Sequence, residues 1–331
     1  MIIRTHAYPR AALIGNPSDG YFGKTIAFTF DNFQAEAVLY ETPELAILPS
    51  ERDGSTFRSI HHLADEVRLF GYYGGIRLLK AAIKCFYEYC REHDIQLHDR
   101  NFTVRYRSSI PHLVGLAGSS AIITACMRAL MHFYDVDIPR PQLANLIRAV
   151  ENRELGISAG LQDRVAQVYQ GLVYMDFDRG LIERQGYGRY EPLDPALLPP
   201  LYVAYRTDLS EGSQVFHNNI RERFERGEAE VVGAMRQWAE LTDRARDCLL
   251  ARDREGLAAL MNRNFDLRAS LYRISEGNLR LIATARSVGA SAKFPGSGGA
   301  IVGTYRDDAM FQAIEKAFAG QPVHVFRPHL I

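Results

Sequence analysis

The sequence predicts an α+β fold in two domains, and three observations lead to this prediction. Segments with the two-residue alternation of strands, such as residues 102–106, are interspersed with segments of helical three- and four-residue spacing, such as residues 76–90. The length of 331 residues is more than a single hydrophobic core usually serves. Four prolines between residues 192 and 200 interrupt the pattern, so we predict domains 1–195 and 196–331.

The composition argues against several classes of function. Basic and acidic side chains balance at 39 each, so neither nucleic acid nor an anionic membrane is expected as the main partner. No apolar run approaches the ~20 residues of a membrane span, and the first residues lack a signal-peptide core. The cysteines form no C-x-x-C pair and read as buried thiols of a reduced cytoplasm: Cys85, Cys90, Cys126 and Cys248. We therefore expect a cytoplasmic protein, as a monomer or homodimer.

The N-terminal part begins with a short buried strand. Residues 8–19 read as a strand that enters a turn marked by glycine and proline. Residues 25–30 and 35–40 have strand composition and predict a β-hairpin. Residues 59–70 and 75–93 follow as helices, the second with a buried stripe from Ile76 to Cys90 that includes Tyr87. The Gly71 to Gly75 loop between them carries two tyrosines, which either close over a ligand or pack in a helix-linking turn.

The strand at residues 102–106 leads into a glycine-rich turn at the start of an apolar helix. Gly115 and Gly118 permit positive φ angles, and Ser119 and Ser120 are residue types that cap helix N-termini. Such a turn presents free N–H groups and the positive end of the helix dipole, which suit a phosphate. Its sequence matches neither the Walker A motif nor the G-x-G-x-x-G motif of dinucleotide-binding folds. Taken alone, the turn also describes an ordinary capped helix.

The remaining elements alternate in the same way. Residues 140–155 form a predicted helix that Gly156 ends, and Asp163 falls in the first turn of the next helix, where an aspartate is usually a dipole-favouring cap. Residues 172–177 and 201–206 are predicted strands. Three helices are predicted at 228–251, 254–262 and 278–288; their charged residues look like solvated faces, and Trp238 looks like core. A glycine-rich segment follows at residues 292–300.

Three distant segments together resemble the superfamily of galactokinase, homoserine kinase, mevalonate kinase and phosphomevalonate kinase, the GHMP kinases. Pro111, Gly115-Leu116 and residues 118–121 resemble its nucleotide-binding motif, with one more residue before the serine pair. Arg10, Gly15 and Asp19 match the first motif of its sugar kinases, and residues 292–300 resemble its C-terminal glycine loop, with a proline where threonine is common. The resemblance implies an N-terminal ribosomal-protein-S5-domain-2-like α/β domain, a C-terminal ferredoxin-like α+β domain and an active site in the cleft between them.

The wider sequence resembles plant-type glucuronokinases at residues 16–23, 71–79 and 154–169. The glutamate-histidine pair that galactokinases carry just before Asp19's position is replaced, and fewer negative groups suit an anionic sugar. The resemblance implies that ATP, with Mg²⁺, phosphorylates the anomeric hydroxyl of D-glucuronate. Three alternatives stay open: another sugar 1-kinase acting on galacturonate, galactose, arabinose or a heptose; a non-catalytic sensor of sugar and ATP; and a scaffold that keeps only the fold.

The resemblance also implies the roles of individual residues. Asp163 is the expected base, Arg10 faces the transferred phosphoryl group, and Ser120 and Glu151 hold Mg²⁺. The expected ATP and phosphate ligands are Pro111, Gly115, Leu116, Ala117, Gly118, Ser119, Ser120 and Ala121. The expected substrate-binding residues are Asn16, Asp19, Tyr21, Tyr72, Tyr73, Arg164, Gly296, Ser297 and Gly298. From chemistry alone, the sugar carboxylate has four candidate partners: Arg164, Tyr21, Tyr72 and Tyr73.

Overall fold

The computed structural model describes residues 1–50, 53, 59–60, 74–208 and 217–331. The chain forms two compact units. Unit 1 comprises Met1–Pro9, Phe33–Ile110 and Ala117–Val168; unit 2 comprises Arg10–Asn32, Pro111–Leu116 and Tyr169–Ile331. The units are interleaved along the sequence, whereas the predicted domains are consecutive, and the boundary at residue 195 stays a prediction. The helix predicted at residues 59–70 falls mostly outside the described residues.

Strands and helices alternate along the described chain. In chain order the strands are β1 (Ile2–Ala7), β2 (Arg10–Ile14), β3 (Lys24–Thr29), β4 (Ala35–Thr42), β5 (Ala46–Leu48), β6 (Asn101–Ser108), β7 (Leu172–Asp176), β8 (Arg189–Leu193), β9 (Leu201–Arg206), β10 (Ala300–Thr304) and β11 (Val323–Phe326). The α-helices are α1 (Gly75–Glu92), α2 (Gly118–Tyr134), α3 (Arg140–Ala149), α4 (Gln162–Tyr169), α5 (Arg179–Gln185), α6 (His217–Glu225), α7 (Ala229–Ala251), α8 (Arg254–Leu271), α9 (Glu276–Ser287) and α10 (Asp308–Phe318).

Unit 1 combines a four-stranded sheet with helices α1 to α4. The strand order is β1-β4-β6-β5, with β5 and β6 parallel and the other pairs antiparallel. Helix α2 packs against β1 and β4, and α1 packs against α2. In β6 the predicted apolar residues Phe102, Val104 and Tyr106 are buried, but Thr103 between them is buried as well. The stripe predicted for α1 is wrong at Tyr87, which is 55% exposed, and it lacks Leu78, which is fully buried.

Unit 2 contains two antiparallel sheets and the helices that cover them. The strand orders are β2-β3-β7-β8 and β10-β9-β11. Helix α7 packs against β3, and α8 packs against α7 and β2. Trp238 of α7 is fully buried, and its indole Nε1 donates to the carbonyl oxygen of Asn264 at 3.1 Å, so its prediction as core is confirmed. A second apolar cluster, which includes Phe265, Phe294 and Ile314, joins α8, α10 and the glycine loop.

The hairpin predicted from residues 25–40 is wrong. Its two strands exist, but β3 lies between β2 and β7 while β4 lies between β1 and β6, so each belongs to a different sheet. The N-terminal strand β1, which was not recognised in the sequence, pairs with the whole first part of β4. Strand pairing is therefore decided by partners distant in sequence rather than by the short connection.

The three helices predicted at residues 228–251, 254–262 and 278–288 are present and differ in extent, whereas α5, α6 and α10 were not predicted. Helix α8 continues to Leu271, nine residues beyond the predicted end at residue 262. Arg268, which lies in this extension, is only 2% exposed. The cysteines are free thiols, and burial raises the pKa of Cys90 to about 11 and that of Cys126 to about 12. None of the helices in the described ranges has the length and apolar character needed to cross a membrane.

Candidate active site

Arg10 joins the two glycine-rich segments of unit 2. It begins β2 and is 4% exposed, and its Nη1 donates to the carbonyl oxygens of Gly115 and Pro295, each at 2.7 Å. Its backbone N–H donates to the carbonyl oxygen of Leu116 at 3.4 Å. The N–H of Ala12, two residues further along β2, donates to the same Pro295 carbonyl oxygen at 3.0 Å. The structure thus brings the first, second and third motif segments together at Arg10.

The two glycine loops pack backbone against backbone. A Cβ placed on Gly296 would lie 2.2 Å from the carbonyl oxygen of Gly115, a separation that real side chains do not show. Gly115 itself has φ 71°, and a Cβ there would lie 2.9 Å from the backbone nitrogen of Ser297. Both positions therefore require glycine for space, and Gly115 requires it for backbone conformation as well.

Two further cations of unit 2 support the C-terminal glycine loop from inside. Lys293 is 1% exposed and its Nζ donates to the carbonyl oxygens of Ala12 and Phe294, each at 2.7 Å. Arg268 donates from Nη1 to the carbonyl oxygen of Gly296 at 2.8 Å. Burial lowers the pKa of both groups, most strongly for Lys293. Within the described residues, neither Lys293 nor Arg268 forms a salt bridge with a carboxylate, so carbonyl and amide oxygens are the partners that hold both side chains against the loop.

Asn16 corrects one of the sequence predictions. It is 4% exposed, its Nδ2 donates to the carbonyl oxygen of Phe294 at 3.2 Å, and its Oδ1 accepts from Lys293 Nζ at 2.6 Å. The Nδ2 of Asn264 donates to its carbonyl oxygen at 3.1 Å. The side chain of Asn16 therefore holds the glycine loop in place instead of presenting its amide to a sugar, as had been predicted.

The short 3-10 turn Ser18–Tyr21 carries two predicted substrate-binding residues, and we call its surroundings the Asp19 cluster: Asp19, Tyr21, Arg221, Arg268 and Tyr272. Asp19 is half-buried and Tyr21 is 9% exposed. The phenol groups of Tyr21 and Tyr272 lie close enough for each to influence the pKa of the other. Burial raises the pKa of Tyr21, while the positive charge of Arg221 opposes that rise. The negative charge of Asp19 acts on both phenols and on Arg268.

Helix α2 of unit 1 begins without a side-chain cap. The N-cap position is taken by Ala117, which has the left-handed φ of 63°. Ser120 is 1% exposed, and its Oγ donates to the carbonyl oxygen of Ala117 at 3.2 Å, so the prediction of a serine N-cap is wrong. The N–H groups of the first helical turn have no acceptor within the helix, and the 17-residue helix adds its positive dipole end there. This geometry favours an anion.

Gln167 fixes the left-handed residue and was missed in the sequence. It is fully buried on α4, and its Nε2 donates to the carbonyl oxygens of Ala117 at 2.9 Å and Tyr8 at 3.1 Å. A left-handed alanine costs roughly 1–2 kcal/mol, so neighbouring contacts must hold it. Nothing in the local pattern around Gln167 indicates this role, because its partners lie 50 and 159 residues away.

A buried ion pair orients the predicted base. Glu151 is 2% exposed on the π-helical turn Val150–Glu154 that extends α3, and Arg164 is 5% exposed on α4. Arg164 donates from Nε to Glu151 Oε2 at 2.8 Å and from Nη2 to the same oxygen. Its Nη1 donates to the carbonyl oxygen of Gly160 at 3.0 Å and lies 3.3 Å from Oδ2 of Asp163. The carboxylate of Asp163, 20% exposed, is thereby held at the start of α4.

The same contacts correct the prediction that Arg164 binds substrate. Its guanidinium is buried, and its donors point to Glu151, Gly160 and Asp163. A bidentate grip on a sugar carboxylate would require breaking this buried pair. Arg164 is therefore a positioning residue for the carboxylates of unit 1.

The side chains of Ser120 and Glu151 carry oxygen atoms, which are the ligand atoms that Mg²⁺ prefers. Both Arg164 donors use Oε2 of Glu151, and among the described residues nothing hydrogen-bonds to Oε1. Mg²⁺ is usually held by one or two carboxylates together with substrate phosphates and water. The described part of the chain has no cluster of three or more His, Cys, Asp or Glu residues that could hold a metal. These residues therefore fit an ion that phosphates also coordinate.

The remaining predicted ATP- and substrate-binding residues differ in burial and in their contacts. Leu116 and Ala121 are buried, whereas Pro111, Gly118 and Ser119 are half-buried. Gly298 has φ 133°, and the next N–H along the loop, that of Gly299, donates to Oδ1 of Asn278 at 2.9 Å. Ser297 contributes its carbonyl oxygen to Nη2 of Arg268 at 3.5 Å. Tyr72 and Tyr73 lie outside the described residues.

Comparison with known proteins extends the motif resemblance to most of the chain. Residues 77–171 match the family described as GHMP kinases N terminal domain. The chain is 42% identical over 305 residues to "Glucuronokinase 1" of Arabidopsis thaliana, covering 91% of this chain and 84% of that protein. It is 44% identical over 308 residues to "Probable glucuronokinase 2" of the same plant, with the same coverage. The Lactococcus lactis galactokinase complexed with galactose superposes with a TM-score of 0.75 over 99% of this chain and 93% of that one; at 15% identity it shows a shared fold.

Proposed function

Because the chain belongs to the glucuronokinase family of GHMP kinases, we propose that it transfers the γ-phosphoryl group of ATP to the anomeric hydroxyl of D-glucuronate. The products are D-glucuronate 1-phosphate and ADP. The observation that carries the proposal is the identity of 42% with a glucuronokinase across 91% of the chain. In-line phosphoryl transfer demands positioning and neutralisation of charge, and each unit contains buried side chains suited to these tasks.

Asp163 is the proposed general base. Its carboxylate is partly exposed, sits in the first turn of α4 and is held by Arg164, so it is both reachable and oriented. It accepts the proton of the anomeric hydroxyl while the sugar oxygen forms a bond to the γ-phosphorus. The bond between that phosphorus and the β–γ bridging oxygen breaks, and ADP departs with the electron pair. A positioned base typically contributes about 10²–10⁴-fold to such a rate.

The turn before α2 is the proposed phosphate site. The N–H groups at the start of the helix and the helix dipole stabilise the negative charge of the triphosphate. Ser120 and Glu151 would hold Mg²⁺, which when bound neutralises charge on the β- and γ-phosphates. Arg10 supplies a fixed positive charge next to the Gly115 side of the turn, because two carbonyl oxygens lock its guanidinium.

The Asp19 cluster is the proposed sugar site of unit 2. A carboxylate and two phenols are suited to hydrogen bonds with sugar hydroxyls, and Asp19 stands where the family's first motif places that contact. The loop of Gly296, Ser297 and Gly298 lies beside it, since Arg268 of the cluster donates to the carbonyl oxygen of Gly296. Backbone groups of this loop would complete the site.

A substrate panel tests the proposal. ADP release is measured with D-glucuronate, D-galacturonate, D-galactose, L-arabinose and D-glucose, and the product is examined by phosphorus NMR for coupling to the anomeric proton. Selective turnover of D-glucuronate to an anomeric phosphate is the expected result. Selective turnover of a different sugar would assign another 1-kinase activity, and sugar binding without ADP release would indicate a sensor; either result would refute the proposal.

A further inference from the structure

Arg221 is the exposed arginine of the Asp19 cluster. It lies on α6 and is exposed, and its guanidinium carbon is 5.4 Å from the centroid of the Tyr21 ring. Its Nη2 is 3.6 Å from the position that a Cβ on Gly20 would occupy. Arg223 of the same helix pairs with Glu228 and Glu230 at 2.6 and 2.9 Å, whereas no carboxylate of the described residues pairs with Arg221.

The electrostatics at Tyr21 agree with this geometry. Among the charges that act on the pKa of the Tyr21 phenol, that of Arg221 is the largest, ahead of those of Asp19 and Glu225. Behind the phenols, Arg268 adds a second guanidinium that is fully buried and has no salt bridge to the described carboxylates. Two guanidinium groups, those of Arg221 and Arg268, therefore lie close to the turn that is proposed to hold sugar hydroxyls.

We propose that Arg221 binds the carboxylate of the sugar substrate and thereby sets a preference for uronic acids; this inference rests on the proposed function. The planar guanidinium matches a carboxylate in a bidentate fork, and the Tyr21 ring beneath it favours one orientation of the side chain. Arg164, the other arginine considered for this role, is committed to Glu151 and Asp163. Arg221 then binds the carboxylate of the uronic acid, and Asp19, on a neighbouring element, binds its hydroxyls.

Kinetics of Arg221→Gln test the inference against D-glucose, which carries a hydroxymethyl group where D-glucuronate carries the carboxylate. We expect the KM for D-glucuronate to rise about tenfold to a hundredfold, because a charge-assisted bidentate contact is lost. The KM for ATP and the weak turnover of D-glucose should change less than about twofold. Arg221→Lys keeps the charge without the fork and should fall between wild type and Arg221→Gln. Arg226→Gln, an exposed arginine just after the same helix, should behave like wild type.

Equal losses on both sugars, or no loss on either, would overturn the inference. Thermal unfolding checks that each variant is folded, and Arg221→Lys supplies the comparison if Arg221→Gln is not. Calorimetric binding of D-glucuronate without ATP separates this inference from the proposed function. A wild type that binds D-glucuronate more tightly than D-glucose but releases no ADP would refute the kinase activity alone. A wild type that binds the two sugars equally would refute the role of Arg221.

Discussion

Replacing Arg164 with methionine should destabilise unit 1 and reduce activity on every sugar to the same degree. The substitution leaves an apolar side chain of similar length and removes the donors to Glu151, Gly160 and Asp163. Glu151, 2% exposed, then remains as a buried carboxylate without its partner. Asp163 loses the contact that orients it. The expected damage is therefore to folding and to the base, and not to recognition of one sugar.

The magnitude follows from the burial of the pair. Breaking a buried ion pair by removing one partner typically costs about 3–5 kcal/mol. At roughly 2–4 °C per kcal/mol for chains of 150–250 residues, the midpoint of thermal unfolding should fall on the order of 10 °C.

Chemical unfolding followed by circular dichroism, with kcat/KM on D-glucuronate and D-glucose, measures both effects. Arg153→Met is the matched control, because Arg153 makes ion pairs with Glu88 and Glu154 but is 56% exposed, and such surface pairs contribute about 0–1 kcal/mol. If Arg164→Met lowers the unfolding free energy no more than this control, the buried pair does not have the assigned role. A loss confined to D-glucuronate would instead make Arg164 the sugar's partner.

Three further predictions concern the base, the glycine contact and the buried lysine. Asp163→Asn should lose at least about 100-fold in kcat with an unchanged unfolding midpoint, and a loss of only tenfold would assign a positioning role. Gly296→Ala should lower both stability and activity, because its Cβ would meet the carbonyl oxygen of Gly115. The control is Gly233→Ala, in a helix with nothing within 4 Å of the new Cβ, which should stabilise the protein by about 0.5–1 kcal/mol. Equal midpoints of thermal unfolding for the two variants would contradict the contact. Burial lowers the pKa of Lys293 below 10.5, so the unfolded chain holds that proton more tightly than the folded protein does. As the pH increases from the lowered pKa toward 10.5, the unfolding free energy of the wild type should therefore rise relative to that of Lys293→Met. Parallel pH profiles of the two proteins would refute this.

The sequence reveals local features of the site because they depend on neighbouring residues. Gly115 and Gly296 are recognisable from their motifs, and Asp163 is correctly placed in the first turn of a helix. These features need only a turn conformation or a helix start, which a few adjacent residues decide. The roles of Asp163 and Arg10 in catalysis remain predictions that the experiments above address.

The supporting residues could not be predicted because their partners are remote. Arg268 lies beyond the predicted end of its helix, and its Nη1 donates to the carbonyl oxygen of Gly296, 28 residues away. Arg164 and Glu151 are 13 residues apart, a spacing that no single helix turn relates, so the pair appears only when α4 folds against the turn after α3. The mistaken hairpin at residues 25–40 has the same origin, since strand partners are chosen over long distances.

The interleaving of the two units bears on how the chain is made. Strands β2 and β3 leave the ribosome early, yet the carbonyl of Pro295 that Arg10 binds is translated almost at the end. The contact between Arg10 and the C-terminal glycine loop can therefore form only after nearly the whole polypeptide has emerged from the ribosome. During synthesis, the edge of β3 that pairs with β7 remains unpaired until β7 has been translated.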